Sequence, residues 1–278
     1  MNKHILLVDC PDSKGLICKI TGVLSAHHVN IEKNGEYVDH SSKKFFMRTE
    51  FSGAFDSGLL HDDLLKTLPP DTNIKLTGKT KKNIIILASK EHHCLSDILI
   101  RNHYNEINAN ILAVISNHEN LRPFTENMAV PYHYISHENI SREDHENKIL
   151  QQINQYCPDY IVLAKYMRIL SPVFVNTFPN KIINIHHSFL PAFVGANPYK
   201  QAFDRGVKII GATAHFVNEN LDEGPIISQN VINIDHTQTV DEIIRAGRDV
   251  EKVVLSNAIR LVFDQKVMVN GNKTIIFD

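Results

Sequence analysis

The sequence predicts an α/β protein in two parts. A ferredoxin-like βαββαβ unit covers residues 1–80, and a doubly wound α/β domain covers residues 83–278. Three observations carry this. Strand-length apolar runs and helix-period segments follow one another in the order β-α-β-β-α-β within residues 1–78. After a short basic, polar segment, Gly78-Lys-Thr-Lys-Lys82, the strands become continuous apolar runs, as do strands buried on both faces of a parallel sheet. Those runs then alternate with helical stretches.

In the first part, His4–Cys10 is short, apolar and bounded by Pro11, and reads as a strand. Ser13 is placed to cap a helix from about Lys14, in which Leu16, Ile20, Val23, Leu24 and His27 recur at three- and four-residue intervals. Residues 30–38 and 44–51 read as two strands, with Phe45, Met47, Thr49 and Phe51 on one face of the second. Leu59, Leu60, Leu64, Leu65 and Leu68 mark a second helix, ended by Pro69-Pro70. Residues 73–77 form a last short strand. In the second part, Asn83–Ala88 is a strand, and the helix from about His93 turns Leu95, Ile98 and Leu99 inward. The runs Ile111–Ser116, Tyr160–Ala164 and Lys181–Ile185 repeat the buried-strand pattern, with helices around 142–156 and 171–177. A long helix covers 239–263, and residues 267–276 form a hairpin around Asn270-Gly271.

The 278 residues are 43% hydrophobic and 22% charged, an ordinary globular composition with enough apolar material for at least one full core. A formal net charge of −2 provides no field for nucleic acid or an anionic membrane. The opening MNKHILLVDCPD lacks the pattern of a signal peptide. No apolar stretch reaches the roughly 18 residues that would span a bilayer. The cysteines, Cys10, Cys18, Cys94 and Cys157, are too irregularly spaced for a zinc site or a disulfide framework. They are expected to be reduced thiols of a cytoplasmic protein.

Three segments of the second part carry candidate chemistry. In Asn184-Ile-His-His-Ser-Phe-Leu-Pro191, strand alternation puts Asn184 and His186 on one face and Ile183 and Ile185 on the other. They fall at the C-terminal end of a parallel strand, where open α/β sheets bind ligands. In Leu221-Asp-Glu-Gly-Pro-Ile-Ile227, Gly224-Pro225 marks a turn, so Asp222 lies on a loop able to fold over the strand ends. Taken alone, Asp222 reads as a solvated carboxylate; its pairing with the first segment makes it a candidate. The third segment, Tyr166-Met-Arg-Ile-Leu170, reads either as core plus a surface charge or as a pocket for a flat, partly apolar ligand with an acidic tail. An amide donor, an imidazole and a carboxylate together suit acyl chemistry, stabilising an oxyanion and handling a proton. Ser188 lacks a G-x-S-x-G context, so direct attack by water or an amine is expected rather than a covalent intermediate. Metal catalysis is the rival for a chain with sixteen histidines. The pairs His27-His28, His92-His93 and His186-His187 point apart, and there is no H-E-x-x-H, so no metal is expected.

The set NIHHSFLPAF, HFVNENLDEGPII and YMRIL resembles the folate-dependent formyltransferase superfamily over roughly residues 83–278. The resemblance implies a catalytic set of Asn184, His186 and Asp222. It also implies a pterin-binding loop of Met167, Arg168, Ile169 and Leu170, with Arg168 a candidate for the acidic tail of the folate. The N-terminal stretch VDCPDSKGLICKITGVLSAHHVNI is similar to an ACT domain, a type that senses amino acids or mediates assembly. An ACT domain ahead of this catalytic domain is the arrangement of the deformylase branch of the superfamily. The implied function is hydrolysis of 10-formyltetrahydrofolate by water to formate and tetrahydrofolate, supplying formate for purine biosynthesis and balancing one-carbon folate pools. The folate is the substrate, and no cofactor is implied. An amino-acid effector at the ACT domain and a homo-oligomer are further expectations; a nucleic-acid or membrane partner is not.

The glycinamide ribonucleotide formyltransferases carry a Gly-rich phosphate-holding loop where this chain has Leu87-Ala-Ser-Lys-Glu-His-His-Cys94, without glycine and with Glu91. That substitution, with Phe193–Pro198 as a second element shaping the acceptor space, argues for water as acceptor. The alternatives are formyl transfer to an amine and a non-catalytic, amino-acid-responsive regulator.

Overall fold

A computed structural model of the chain describes residues 3–78, 80–191 and 198–278. Two compact units divide the chain. The first comprises Met1–Thr80 together with Asp264–Met268 and Ile275–Asp278, and the second comprises Lys81–Phe263 and Val269–Thr274. After Phe263 the segments Asp264–Met268 and Ile275–Asp278 group with the first unit.

The first unit runs β1 (Lys3–Pro11), α1 (Leu16–Ala26), β2 (Asn30–Asp39), β3 (Lys44–Ser52), α2 (Ser57–Thr67) and β4 (Asn73–Gly78). The strands form an antiparallel sheet in the order β2-β3-β1-β4, the predicted ferredoxin-like topology. Alternation along β1 splits its side chains between two cores. Leu6 and Val8 join Ile20 and Leu24 of α1, Met47 and Phe51 of β3, and Leu60 and Leu64 of α2. On the other face, Ile5, Leu7 and Phe46 pack with Met268 and Phe277 of the returning segment. Arg48 fastens that segment, donating from Nε to the Gln265 carbonyl at 2.7 Å and from Nη2 to that of Asp264 at 3.1 Å. Helix α1 begins at Leu16, not Lys14, and no side chain caps it. Gly15 sits at φ 85, outside helical space, so helical backbone cannot start before it and Ser13 is left too far upstream. Helix α2 is capped by Asp56, which accepts from Gly58 and Leu59 N–H at 2.8 and 3.0 Å.

The second unit runs β5 (Lys82–Ala88), α3 (His93–His103), β6 (Ala109–Ser116), α4 (Arg122–Asn127), β7 (Tyr132–Tyr134), α5 (Arg142–Asn154), β8 (Tyr160–Ala164), α6 (Pro172–Thr177), β9 (Ile182–His186), α7 (Pro198–Arg205), β10 (Ile209–Phe216), β11 (Ile226–Asn233) and α8 (Val240–Phe263). A hairpin of β12 (Val267–Asn270) and β13 (Lys273–Ile276) follows. The seven-stranded sheet has the order β11-β10-β9-β8-β5-β6-β7. Strands β5 to β9 are parallel, whereas β10 is antiparallel to β9 and β11 to β10. The sheet is therefore mixed, and the two antiparallel strands at one edge were not foreseen. The strand order reverses beside β5, with β6 on one side and β8 on the other, so a crevice opens at the carboxyl ends of β5 and β8. Among the described residues, no helix is long and apolar enough to cross a membrane.

Candidate active site

The antiparallel register of β9 and β10 sets the first part of the site. Asn184 lies opposite His215, and His186 opposite Thr213. His215 Nδ1 is 2.8 Å from the Phe216 carbonyl oxygen, which can only accept, so Nδ1 carries the proton. With Nδ1 as the donor, Nε2 is placed to accept from Asn184 Nδ2 at 3.2 Å. This contact fixes which side of the Asn184 amide carries its N–H groups and leaves a second N–H to donate elsewhere.

Asp222 reaches the same point from the loop after β10. The loop closes tightly, with Phe216 N–H donating to the Pro225 carbonyl at 2.9 Å. Asp222 itself adopts φ 57. Only glycine fits at 224, because a Cβ there would lie 1.8 Å from the Phe216 carbonyl oxygen. Asp222 Oδ2 is 3.3 Å from His186 Nδ1, and Oδ1 is 3.7 Å from His215 Nε2. Burial by itself would raise the Asp222 carboxyl. The hydrogen bond with His186 leads the contacts that outweigh it and hold the group well below the usual carboxylate range, so it is ionised near neutral pH. With Nδ1 turned to Asp222, His186 Nε2 is buried and has no hydrogen-bond partner among the described residues. It is the unpartnered polar position of the site. Among the described residues Ser188 Oγ is also buried without a partner, so none of them activates it as a nucleophile.

These groups face a cavity of about 450 Å³. It is also lined by Leu163, Tyr166 and the whole Met167–Leu170 loop. Ser89 Oγ accepts from Met167 N–H at 3.1 Å and tethers the start of that loop. Met167 and Ile169 are 61% and 57% exposed, apolar surface available to a flat ligand. Asn184, His186, Asp222, Met167, Arg168, Ile169 and Leu170 are thus brought together on one cavity.

A second cavity of about 530 Å³ adjoins the first and shares Lys165, Met167, Arg168 and His187 with it. At its base lies Glu251, 1% exposed, on α8. Glu251 Oε2 contacts His93 Nε2 at 2.8 Å and Lys165 Nζ at 3.2 Å. Oε1 accepts from the Tyr199 hydroxyl at 2.6 Å. Burial would raise this carboxyl, but His93, the Lys165 charge and Tyr199 draw it down to about 2. Gly247 makes room for the arrangement, since a Cβ there would lie 2.2 Å from the Tyr199 ring. His187 is driven down to about 4, first by burial and then by the charge of Lys165, so its ring is neutral near neutral pH. Glu91 does not face the cavity as a bare charge: Arg248 pairs with it at 2.8 Å.

Sequence reasoning missed His215, Lys165, His93, Tyr199 and Glu251. His93 is buried. A polar residue inside an apolar run was the available signal for two of them: His215 in Ala212-Thr-Ala-His-Phe216, and Lys165 directly after Tyr160–Ala164. His93, Cys94 and Glu251 are donors of metal-binding type within 4.8 Å of one another. The Lys165 ammonium on Glu251 Oε2 and the thiol of Cys94, raised well above its usual range by burial, are a poor fit to a cation. Residues 192–197, which include most of the Phe193–Pro198 stretch, lie outside the described residues.

A carboxylate-backed imidazole beside an oriented amide, at the edge of an apolar cavity in an open α/β sheet, defines an acyl-group enzyme of the transferase or hydrolase type. The comparisons with known proteins narrow this. The formyl transferase family matches residues 82–259, and the ACT domain family matches residues 4–60. The chain is 55% identical to a formyltetrahydrofolate deformylase of Haemophilus influenzae over 99% of both chains. It is similar to the crystal structure of a formyltetrahydrofolate deformylase from Pseudomonas syringae, with a TM-score of 0.95 at 38% identity, covering 100% of this chain and 95% of that one. A glycinamide ribonucleotide transformylase from Symbiobacterium toebii matches 74% of this chain and 98% of its own length at 30% identity, with a TM-score of 0.69. The chain belongs to the formyl transferase family, in its formyltetrahydrofolate deformylase branch.

Proposed function

We propose that this protein hydrolyses 10-formyltetrahydrofolate to formate and tetrahydrofolate. Its full-length likeness to deformylases supports the activity. The observation that carries the chemistry is the unpartnered Nε2 of His186, next to the free N–H of Asn184 and backed by Asp222.

The pterin lies against Met167, Ile169 and Leu170, and Arg168 meets the acidic tail. The formyl oxygen faces Asn184 Nδ2 and His186 Nε2. Water adds to the formyl carbon and releases one proton to solvent, and charge moves onto that oxygen. Asn184 and His186 Nε2 donate to it, with Asp222 accepting from His186 Nδ1 and orienting the imidazole. Donors fixed in advance act where water is scarce and require no reorganisation during the step. As the tetrahedral intermediate collapses, the C–N10 bond breaks and N10 takes a proton either from His186, which regains one from solvent, or through a water. Formic acid loses its remaining proton to solvent. Every step is assigned to side chains, and no metal or cofactor is required.

The wider reading follows from the same resemblance. The enzyme acts in the cytoplasm, supplies formate for purine biosynthesis and balances one-carbon pools. Its ACT unit takes an amino-acid effector and contributes to a homo-oligomer, with β2 and β4 as the edge strands of its sheet. Light scattering on the full chain tests the assembly, and a monomer mass at working concentration refutes it. The activity is tested by measuring formate and tetrahydrofolate from 10-formyltetrahydrofolate, with and without glycinamide ribonucleotide. Equal amounts of the two products, unaffected by the amine, are expected. Formylated acceptor accumulating at the rate of folate consumption establishes transfer instead, and no turnover leaves a regulator.

A further inference from the structure

The two cavities raise the question of what the second one does. Transfer and hydrolysis need the same oxyanion donors, so Asn184, His186 and Asp222 do not choose between them. In transfer, an amine nitrogen bonds to the formyl carbon, the C–N10 bond breaks, and an amine proton ends on N10. In hydrolysis, a water oxygen forms the new bond instead. The choice rests on what occupies the space beside the formyl group. That space adjoins the second cavity, and at about 530 Å³ the cavity has the size of a small-molecule site.

Most of the groups of its buried cluster, however, bind one another, His93 Nδ1 being without a hydrogen-bond partner among the described residues. Glu251 has both oxygens engaged, by His93, Lys165 and Tyr199. A polar acceptor seeking these groups would have to break charge-assisted hydrogen bonds inside a desolvated cluster and leave partners unsatisfied. Lys165 belongs to the wall common to both cavities. It follows directly on β8, in left-handed backbone at φ 59, and it is buried. Lys165 thus lines both cavities, with its ammonium held by Glu251 at 3.2 Å. Water is small enough to pass and forms hydrogen bonds with any such lining. An amine is larger, and once protonated it is repelled.

We propose that Lys165, locked by Glu251, His93 and Tyr199, is the specificity determinant that shuts an acceptor-sized cavity to amines and leaves it as the inlet for the attacking water. This rests on the deformylase reading above and adds the reason why this site hydrolyses. The neighbouring Glu91–Arg248 pair, at 2.8 Å, further occupies groups that would otherwise bind a polar acceptor.

The test is a partition measurement on the full-length protein. Hydroxylamine and glycinamide serve as probe amines, and a no-enzyme control is subtracted. The ratio of formylated amine to formate is read for wild type, Glu251→Gln, Lys165→Met and Tyr199→Phe. Tyr199→Phe removes a single hydroxyl and keeps the ring, so it reports even where the buried charge variants do not fold. The wild type should give formate only. The unlocked variants should raise the ratio by about tenfold or more, the factor expected from losing one charge-assisted hydrogen bond. A merely structural role would lower both products together and leave the ratio unchanged. Wild-type ratios in all folded variants, Tyr199→Phe among them, overturn the proposal. Absence of formate release from the wild type would overturn the deformylase reading itself, a separate outcome.

Discussion

Gly224→Ala should strip the enzyme of most of its turnover while leaving it folded. The added Cβ would lie 1.8 Å from the Phe216 carbonyl oxygen, against the 3.0 Å that real Cβ contacts respect. Both partners are backbone, so the loop after β10 must move away from the strand by about 1.2 Å, the difference between those distances. Two parts of the site ride on that contact. Asp222 sits two residues before Gly224 and would leave His186, from which it is 3.3 Å in the intact site. The Phe216 carbonyl oxygen also accepts from His215 Nδ1 at 2.8 Å, the bond that sets the tautomer orienting Asn184. A misplacement of ~1 Å in such a constellation costs about 10²-fold in rate. Overpacking of this kind destabilises by ~1–3 kcal/mol, tolerable for an ordinary domain. Formate release at saturating folate gives kcat, folate binding is followed by fluorescence, and a thermal melt shows whether the variant is folded. The expected pattern is a large fall in kcat, near-normal folate affinity and a modest fall in Tm. A folded Gly224→Ala enzyme turning over at the wild-type rate would show that the Asp222 loop does not position the chemistry.

Asn184→Ala should lower kcat by about 10²–10³ with far less effect on folate binding, because its donor acts on charge that develops in the transition state. Normal turnover in the folded variant would remove Asn184 from the mechanism. Glu251 has a folded-state pKa of about 2 against an ordinary 4.5, so its stabilising contribution is fully present above 4.5 and lost as pH falls towards 2. The stability gap between wild type and Glu251→Gln in denaturant titrations should therefore narrow on acidification below that value; a gap independent of pH would show that the cluster does not hold the carboxylate ionised. Exhaustive chelation should leave activity intact, since the chemistry is assigned to side chains alone. Loss restored by one stoichiometric divalent ion would favour metal-assisted hydrolysis instead.

The order and type of the main elements were legible in the chain because each is encoded locally. Ile84 to Ala88 are all fully buried, which is why they read as one unbroken apolar run. The pairing of Asn184 with His186 was legible for the same reason: strand alternation alone puts them on one face of β9, and both line the same cavity. The Gly224-Pro225 turn likewise marked Asp222 as a loop residue. Tertiary structure alone decided who meets whom. His215 orients Asn184 only because β10 runs antiparallel to β9 in a register that sets the two opposite each other, and no local pattern specifies register against a distant strand. Glu251 looks like any charged position of a long helix until the packing of α8 turns it inward to meet His93, Lys165 and Tyr199 from three other parts of the chain. The return of residues 264–268 and 275–278 to the first unit is of the same kind. Arg48 and the apolar face around Phe46 provide its partners, more than 200 residues upstream, as the separation of 217 between Arg48 and Gln265 records. Periodicity says which face of an element is apolar. Which other element covers that face is settled only when the chain closes on itself.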